Sequence, residues 1–203
     1  MKKAKIILAS KSPRRSELLN LIHLDFEVKP SSIDESKINA SSASNLVKAL
    51  AEAKAEDVLK GLKEDTLVIA ADTIVVIEKV IEGLGRVIGN STILEKPKDK
   101  EHAKKMLEAL SNQTHLVMTG FSLFSKSFKT SKVVSTEVTF RDLSEDEINY
   151  YINLDEPYDK AGGYGIQGYA QVFISSIKGS YTCLLYTSPS PRDATLSRMP
   201  SSA

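Results

Sequence analysis

Residues 158–168, Tyr-Asp-Lys-Ala-Gly-Gly-Tyr-Gly-Ile-Gln-Gly, bring an acid, a base and an amide together with four glycines inside eleven residues. Gly162, Gly163, Gly165 and Gly168 permit positive φ and close backbone approach to a ligand, at a cost of about 0.5–1 kcal/mol each in regular structure. Amides exposed in this way can line an anion-binding nest, to which Lys160 adds a full positive charge. Without a ligand the same segment reads as a flexible surface turn. The following Val-Phe-Ile run and Ile166 predict instead that the loop leads into a buried strand.

Asp72 lies in Val-Ile-Ala-Ala-Asp-Thr-Ile-Val-Val-Ile, an otherwise apolar run. Burying an unpaired carboxylate is expensive, so an acid in such a place is either paired structurally or used. A desolvated carboxyl with a raised pKa suits general-base work, and the same group can hold a cation. Arg14 and Arg15 follow a turn containing Ser10 and Ser12, at the start of a helix whose free amides and dipole favour anions. Strand, serine turn and basic helix start together form a phosphate cradle, although two arginines can equally be solvated surface charges. Glu35, Lys54 and Lys96 carry little signal one at a time. With Asp72 and Lys160 they make an inventory of carboxylates and cations with no Ser-His-Asp or Cys-His nucleophile set. His23, His102 and His115 fall in helical or turn contexts without ligand spacing. Such an inventory suits phosphate-ester chemistry, in which carboxylates hold a divalent cation and position water while Lys and Arg neutralise developing charge. Oxygen donors select a hard ion, Mg²⁺ or Mn²⁺.

These residues need elements to position them. Ile6–Ala9 reads as a short buried strand, followed by a helix with Ser12 as N-cap and Pro13 at its first position. Phe26–Lys29 is a second strand. Residues 44–60 form a helix with Leu46, Val47, Leu50, Ala53 and Leu59 on its apolar side. Thr66–Ile77 is the strongest strand, apolar enough to be covered on both faces. Residues 78–94 read as a hairpin excursion and 98–111 as a helix. Leu116–Phe124 and Val133–Phe140 are strands joined by a polar turn, and Ser144 with Glu147 makes a capping box before another helix. Gln171–Ile177 reads as a last strand. Alternating helices and strands imply an α/β or α+β mixed fold, layered around a sheet.

With 203 residues the chain can bury about 70% of its unfolded surface, enough for a substantial core. A net charge of +1 provides no overall field for DNA or an acidic membrane, so neither nucleic acid nor membrane is an expected partner. The single cysteine, Cys183, excludes a disulfide framework and fits a reducing, cytoplasmic setting. The apolar run after the basic opening is too short for a signal peptide. From about Leu184 the chain turns to Ser, Pro and Arg, a composition expected to be disordered.

The ordered set Ala9-Ser-Lys-Ser-Pro-Arg-Arg-Ser-Glu-Leu-Leu, Ile33-Asp-Glu, Ala53-Lys-Ala, Ala71-Asp-Thr-Ile-Val, Glu95-Lys-Pro, the run from Met106 to Gly120 and Glu156-Pro-Tyr-Asp-Lys-Ala-Gly-Gly-Tyr-Gly-Ile-Gln-Gly resembles the Maf family. The resemblance spans about residues 5–181. It implies a nucleoside triphosphate pyrophosphatase, cleaving between the α and β phosphates, built on a long mixed sheet with two lobes and a central cleft, like the inosine triphosphate pyrophosphatases. It implies Asp72 as the proton acceptor and Glu35 as a metal-associated carboxylate beside it, with Lys54 and Lys96 in the catalytic set. Ser10, Ser12, Arg14, Arg15, Thr73, Lys160 and Gln167 would bind substrate. Arg14, Thr73 and Gln167 match the branch acting on dTTP and UTP rather than that acting on 7-methyl-GTP. The implied boundaries are a catalytic domain over 1–183, compatible with a homodimer, and a tail over 184–203 foreign to the fold, since the family continues into a further strand and helix. The excursion 78–94 is also longer than the family's short hairpin. Two other functions remain open on the sequence: a nucleotide-binding regulator of cell division with little turnover, and a pyrophosphatase for modified or purine nucleotides.

Overall fold

The strand predicted at Thr66–Ile77 forms with those bounds, and every other part of the sheet is placed by it. The computed structural model describes residues 5–62 and 66–181. In chain order these form β1 (Lys5–Leu8), α1 (Pro13–Leu21), β2 (Glu27–Val28), α2 (Ala43–Lys60), β3 (Thr66–Ile77), β4 (Arg86–Ile88), β5 (Ser91–Leu94), α3 (Lys100–Leu110), β6 (Thr114–Phe124), β7 (Lys129–Phe140), α4 (Glu145–Tyr151) and β8 (Ile174–Lys178). Side chains alternate across β3. Val68, Ala70, Ile74 and Val76 pack toward α2, whereas Val75 and Ile77 join the core under α3 and α4. Both faces are therefore covered, which explains the nearly unbroken apolar run.

One edge of β3 pairs with β6 from Val68 opposite Phe124 to Val76 opposite Leu116, and β7 and then β8 extend the sheet outward. The other edge is shared. Parallel β1 pairs with Thr66–Ile69, and antiparallel β5 pairs with Val75–Ile77. β2 lies outside β1, and β4 lies outside β5. Between these two partners, residues 70–74 of β3 have no strand beside them among the described residues. The sheet is thus mixed and divides on that edge into two lobes, as the resemblance implies.

Several local expectations change. The segment expected to be a strand from Gln171 begins as a 3-10 turn, Tyr169–Phe173, because Gln171 N donates to Gly168 O at 3.1 Å and Phe173 turns inward against Tyr151. β8 itself is a partly exposed strand at the sheet's edge, not a buried one. β7 starts at Lys129, four residues earlier than its apolar pattern, since a tight turn with Ser125 N donating to Phe128 O at 2.7 Å carries the pairing through polar residues. The capping box of α4 forms as read, with Ser144 and Glu147 bonding reciprocally. Ser12 occupies the N-cap position of α1 with extended φ and ψ, but its side chain makes no cap bond. His115 lies in β6, in neither a helix nor a turn. The tail 184–203 lies outside the described residues. No helix among those described is long and apolar enough to cross a membrane.

Candidate active site

The break between β1 and β5 opens into a cleft of about 790 Å³, with Asp72, from the unpaired stretch of β3, in its lining. Asp72 is an even-numbered residue of β3, so it lies on the α2 side of the sheet. There Lys54 of α2 pairs with Asp72 Oδ1 and also reaches Glu35 Oε1 at 2.7 Å. α2 comes this close because the residue opposite Asp72 on β6 is Gly120, where a Cβ would overlap the backbone of Val47 in α2. Glu35 sits in a 3-10 turn, Glu35–Lys37, with Asp34 as its cap. Burial raises the Asp72 carboxyl pKa above its ordinary value. The charges of Lys54 and Arg15 oppose that shift, and Glu35 adds to it.

The β1–α1 turn forms one wall. Arg15, 8% exposed, directs Nη1 to Ser10 Oγ at 3.1 Å and to Ala71 O at 2.6 Å, so a side chain replaces the missing strand as partner to the β3 edge. Ser10 Oγ also accepts from Ser12 N at 3.1 Å. Ser12 Oγ is buried and finds no hydrogen-bond partner among the described residues. A buried hydroxyl lining a cleft without a partner is a ready contact for a polar ligand.

The glycine loop enters from the opposite side. Lys160, 4% exposed, donates from Nζ to Glu156 O at 2.8 Å and pairs with Asp159. Asp159 in turn lies 3.7 Å from Arg14 Nη2, which ties the loop to α1. Gly162, at φ 72°, donates its N–H to Glu95 O at 3.1 Å. Gly168 has a different task from the anion nest expected of the loop. It lies against the Glu156 carboxylate, where a Cβ would overlap, and that carboxylate accepts from Tyr151 OH at 3.0 Å and from Tyr169 N at 2.8 Å. The loop is thus wrapped around one of the protein's own carboxylates.

Residues 5–185 match the family of Maf-like proteins. The chain belongs to the Maf family. Among its Maf relatives, the dTTP/UTP pyrophosphatase of Syntrophus aciditrophicus is 46% identical over 180 residues, 88% of this chain and 82% of the relative. The dTTP/UTP pyrophosphatase of Bacillus cytotoxicus is 46% identical over 177 residues, 87% of this chain and 86% of the relative. A solved nucleoside triphosphatase, dITP/XTP pyrophosphatase, from Mycobacterium abscessus aligns at a TM-score of 0.45 and 12% identity, over 95% of this chain and 93% of that one.

Of the residues read from the sequence, Ser10, Ser12, Arg14, Arg15, Glu35, Lys54, Asp72, Thr73, Lys96 and Lys160 all line this Maf cleft. Lys96 is an exposed residue of the lining, and Thr73 Oγ1 lies 3.0 Å from Thr119 Oγ1. Gln167 does not join them; it is exposed and outside the lining. Asp159, Glu156 and Arg86 are additional members of the arrangement. Asp159 and Glu156 flank Lys160 within the same motif, so the acids beside that base were the available signal. Arg86 lies in the lengthened excursion and had none.

The donor set also bears on a metal. Glu35 and Asp72 present two hard carboxylates to one ammonium, and Mg²⁺ commonly takes one or two carboxylates, with water and substrate phosphate completing its shell. No group of three or more His, Cys, Asp or Glu side chains among the described residues could hold an ion. The pair therefore fits a cation shared with a polyphosphate better than one caged by protein alone.

Proposed function

We propose that this Maf protein is a nucleoside triphosphate pyrophosphatase acting on dTTP and UTP, releasing nucleoside monophosphate and pyrophosphate. The observation that carries the reading is a buried carboxyl, Asp72, at the break in the sheet, facing a cleft walled by Arg14, Arg15, Lys96 and Lys160. Asp72 accepts a proton from water as the water oxygen bonds to phosphorus and the P–O bond between the α and β phosphates breaks. Its raised pKa keeps it basic enough for this work near neutrality. Lys54 holds Asp72 and Glu35 in mutual register and balances their charge. Arg15, Lys160 and Lys96 take up the charge of the departing pyrophosphate, with the positive end of the α1 dipole beside them. Ser10 and Ser12 add hydroxyl contacts to the same phosphates.

Glu35 and Asp72 would hold Mg²⁺ or Mn²⁺, which when bound would neutralise phosphate charge. Arg14, Thr73 and Gln167 set the preference for pyrimidine triphosphates in this reading. The dTTP/UTP specificity of the relatives supports it. A cytoplasmic location and a homodimer belong to the same proposal. Incubation with Mg²⁺ and a panel of dTTP, UTP, 7-methyl-GTP and ITP, with pyrophosphate as readout, tests the reading. Higher kcat/KM on the two pyrimidine triphosphates is expected, and a preference for either purine substrate would reassign the branch.

A further inference from the structure

The long excursion between β3 and β5 is anchored at several points. Thr92 Oγ1 donates to Lys79 O at 2.8 Å and accepts from Ile81 N at 2.9 Å, and His102 of α3 reaches Leu84 O at 3.1 Å. Gly85 lies so near the carbonyl of Ile93 that a Cβ there would overlap it, so the start of β4 is pressed onto β5. From this fixed platform Arg86 reaches across the cleft. Its Nη2 donates to Ile38 O and to Asn39 Oδ1, both at 2.7 Å. Ile38 is also the residue whose N–H closes the Glu35 turn, donating to Glu35 O at 3.2 Å. That turn buries none of its residues, and apart from the ion pair of Glu35 with Lys54 its other side-chain ties are the exposed bonds of Asp34 with Ser36 and Lys37. Exposed bonds of this kind stabilise little.

We propose that Arg86 is a positioning residue that fixes the Glu35 turn across the mouth of the cleft, so that Glu35 meets Lys54 and, through it, Asp72. This rests on the reading that Glu35 serves the reaction. An arginine suits the task because its guanidinium offers several donors in a fixed fork to acceptors on adjacent residues, which a lysine cannot match.

Two measurements on the full chain test the proposal. In the free protein, Arg86→Met should speed amide hydrogen exchange over residues 35–38 by about tenfold while leaving α2 unchanged. Unaltered exchange there overturns the proposal whether or not the protein hydrolyses any nucleotide. With dTTP, the variant should lose about tenfold in kcat with KM changed less than about threefold, and Glu35→Gln combined with Arg86→Met should be no slower than Glu35→Gln alone. Losses that multiply would show Arg86 acting on the substrate directly and would overturn the positioning role. If the wild type is active and Arg86→Met matches it, the proposal fails while the pyrophosphatase reading stands. If the wild type releases no pyrophosphate, that reading fails and the exchange result still decides what Arg86 does. Arg86→Lys, the gentler change, should shift exchange and kcat in the same directions and replaces Arg86→Met if the latter does not melt cooperatively.

Discussion

At the scale of single residues, the site turns on a carboxyl with one oxygen taken by Lys54 and a pKa raised by burial. Asp72→Asn is isosteric but cannot take a proton, so it should lower turnover by about 10²–10⁴-fold while leaving a cooperative melt. The raised pKa also has a sign for activity. In the proposed role Asp72 acts as a base only when ionised, so kcat/KM should fall with acid through a pKa above the ordinary carboxylate value, and that limb should be absent from the residual activity of the Asn variant. Gln167→Glu tests the specificity assignment separately. An amide that donates and accepts becomes a charged acceptor, which should reduce dTTP and UTP turnover relative to GTP. Unchanged ratios would remove Gln167 from base reading. Asp72 was legible from one carboxylate in an apolar run, because the cost of burying charge makes such a residue informative wherever it occurs. Arg86 was not legible, because its partners are a main-chain carbonyl and a side chain nearly fifty positions earlier.

At the scale of elements, the contact of α2 with the sheet sets where Lys54 arrives. Gly120→Ala places a methyl group into the α2 backbone, so it should cost about 1–3 kcal/mol of stability and separate Lys54 from Asp72. Denaturant midpoints read the first effect and turnover the second. Beneath the glycine loop, His115 Nε2 meets Tyr164 OH at 2.6 Å, with Phe140 packed edge-on against both rings. Burial pushes the His115 pKa down from 6.5 to about 3. A depressed folded pKa means that the unfolded chain binds the proton first. The His115 contribution is therefore complete above about pH 6.5 and is lost progressively as the pH falls toward 3. The melting temperature should drop across that window in the wild type, and less steeply in His115→Leu. Periodicity found the long elements, β3, α2 and α3, since their apolar faces are wide. It missed the start of β7, where main-chain pairing runs through polar residues, and the turn before β8, where an inward aromatic curls a run apolar enough to read as strand.

At the scale of the whole molecule, the candidate site follows from two strands sharing one edge of β3 and leaving five residues of that edge unpaired, with Arg15 bonding to a carbonyl there. Motif order along the chain revealed which residues belong together. It did not reveal the break, because a gap in a sheet is a property of pairing between distant segments and leaves no local pattern. The break gathers residues from the β1–α1 turn, the Glu35 turn, α2, β3 and the glycine loop around one volume. The most direct test of this account is the identity and ratio of products when the purified protein is given Mg²⁺ with dTTP or UTP. Monophosphate and pyrophosphate are expected in equal amounts, with both almost abolished in Asp72→Asn. Release of diphosphate and orthophosphate, or products undiminished by that substitution, would contradict it.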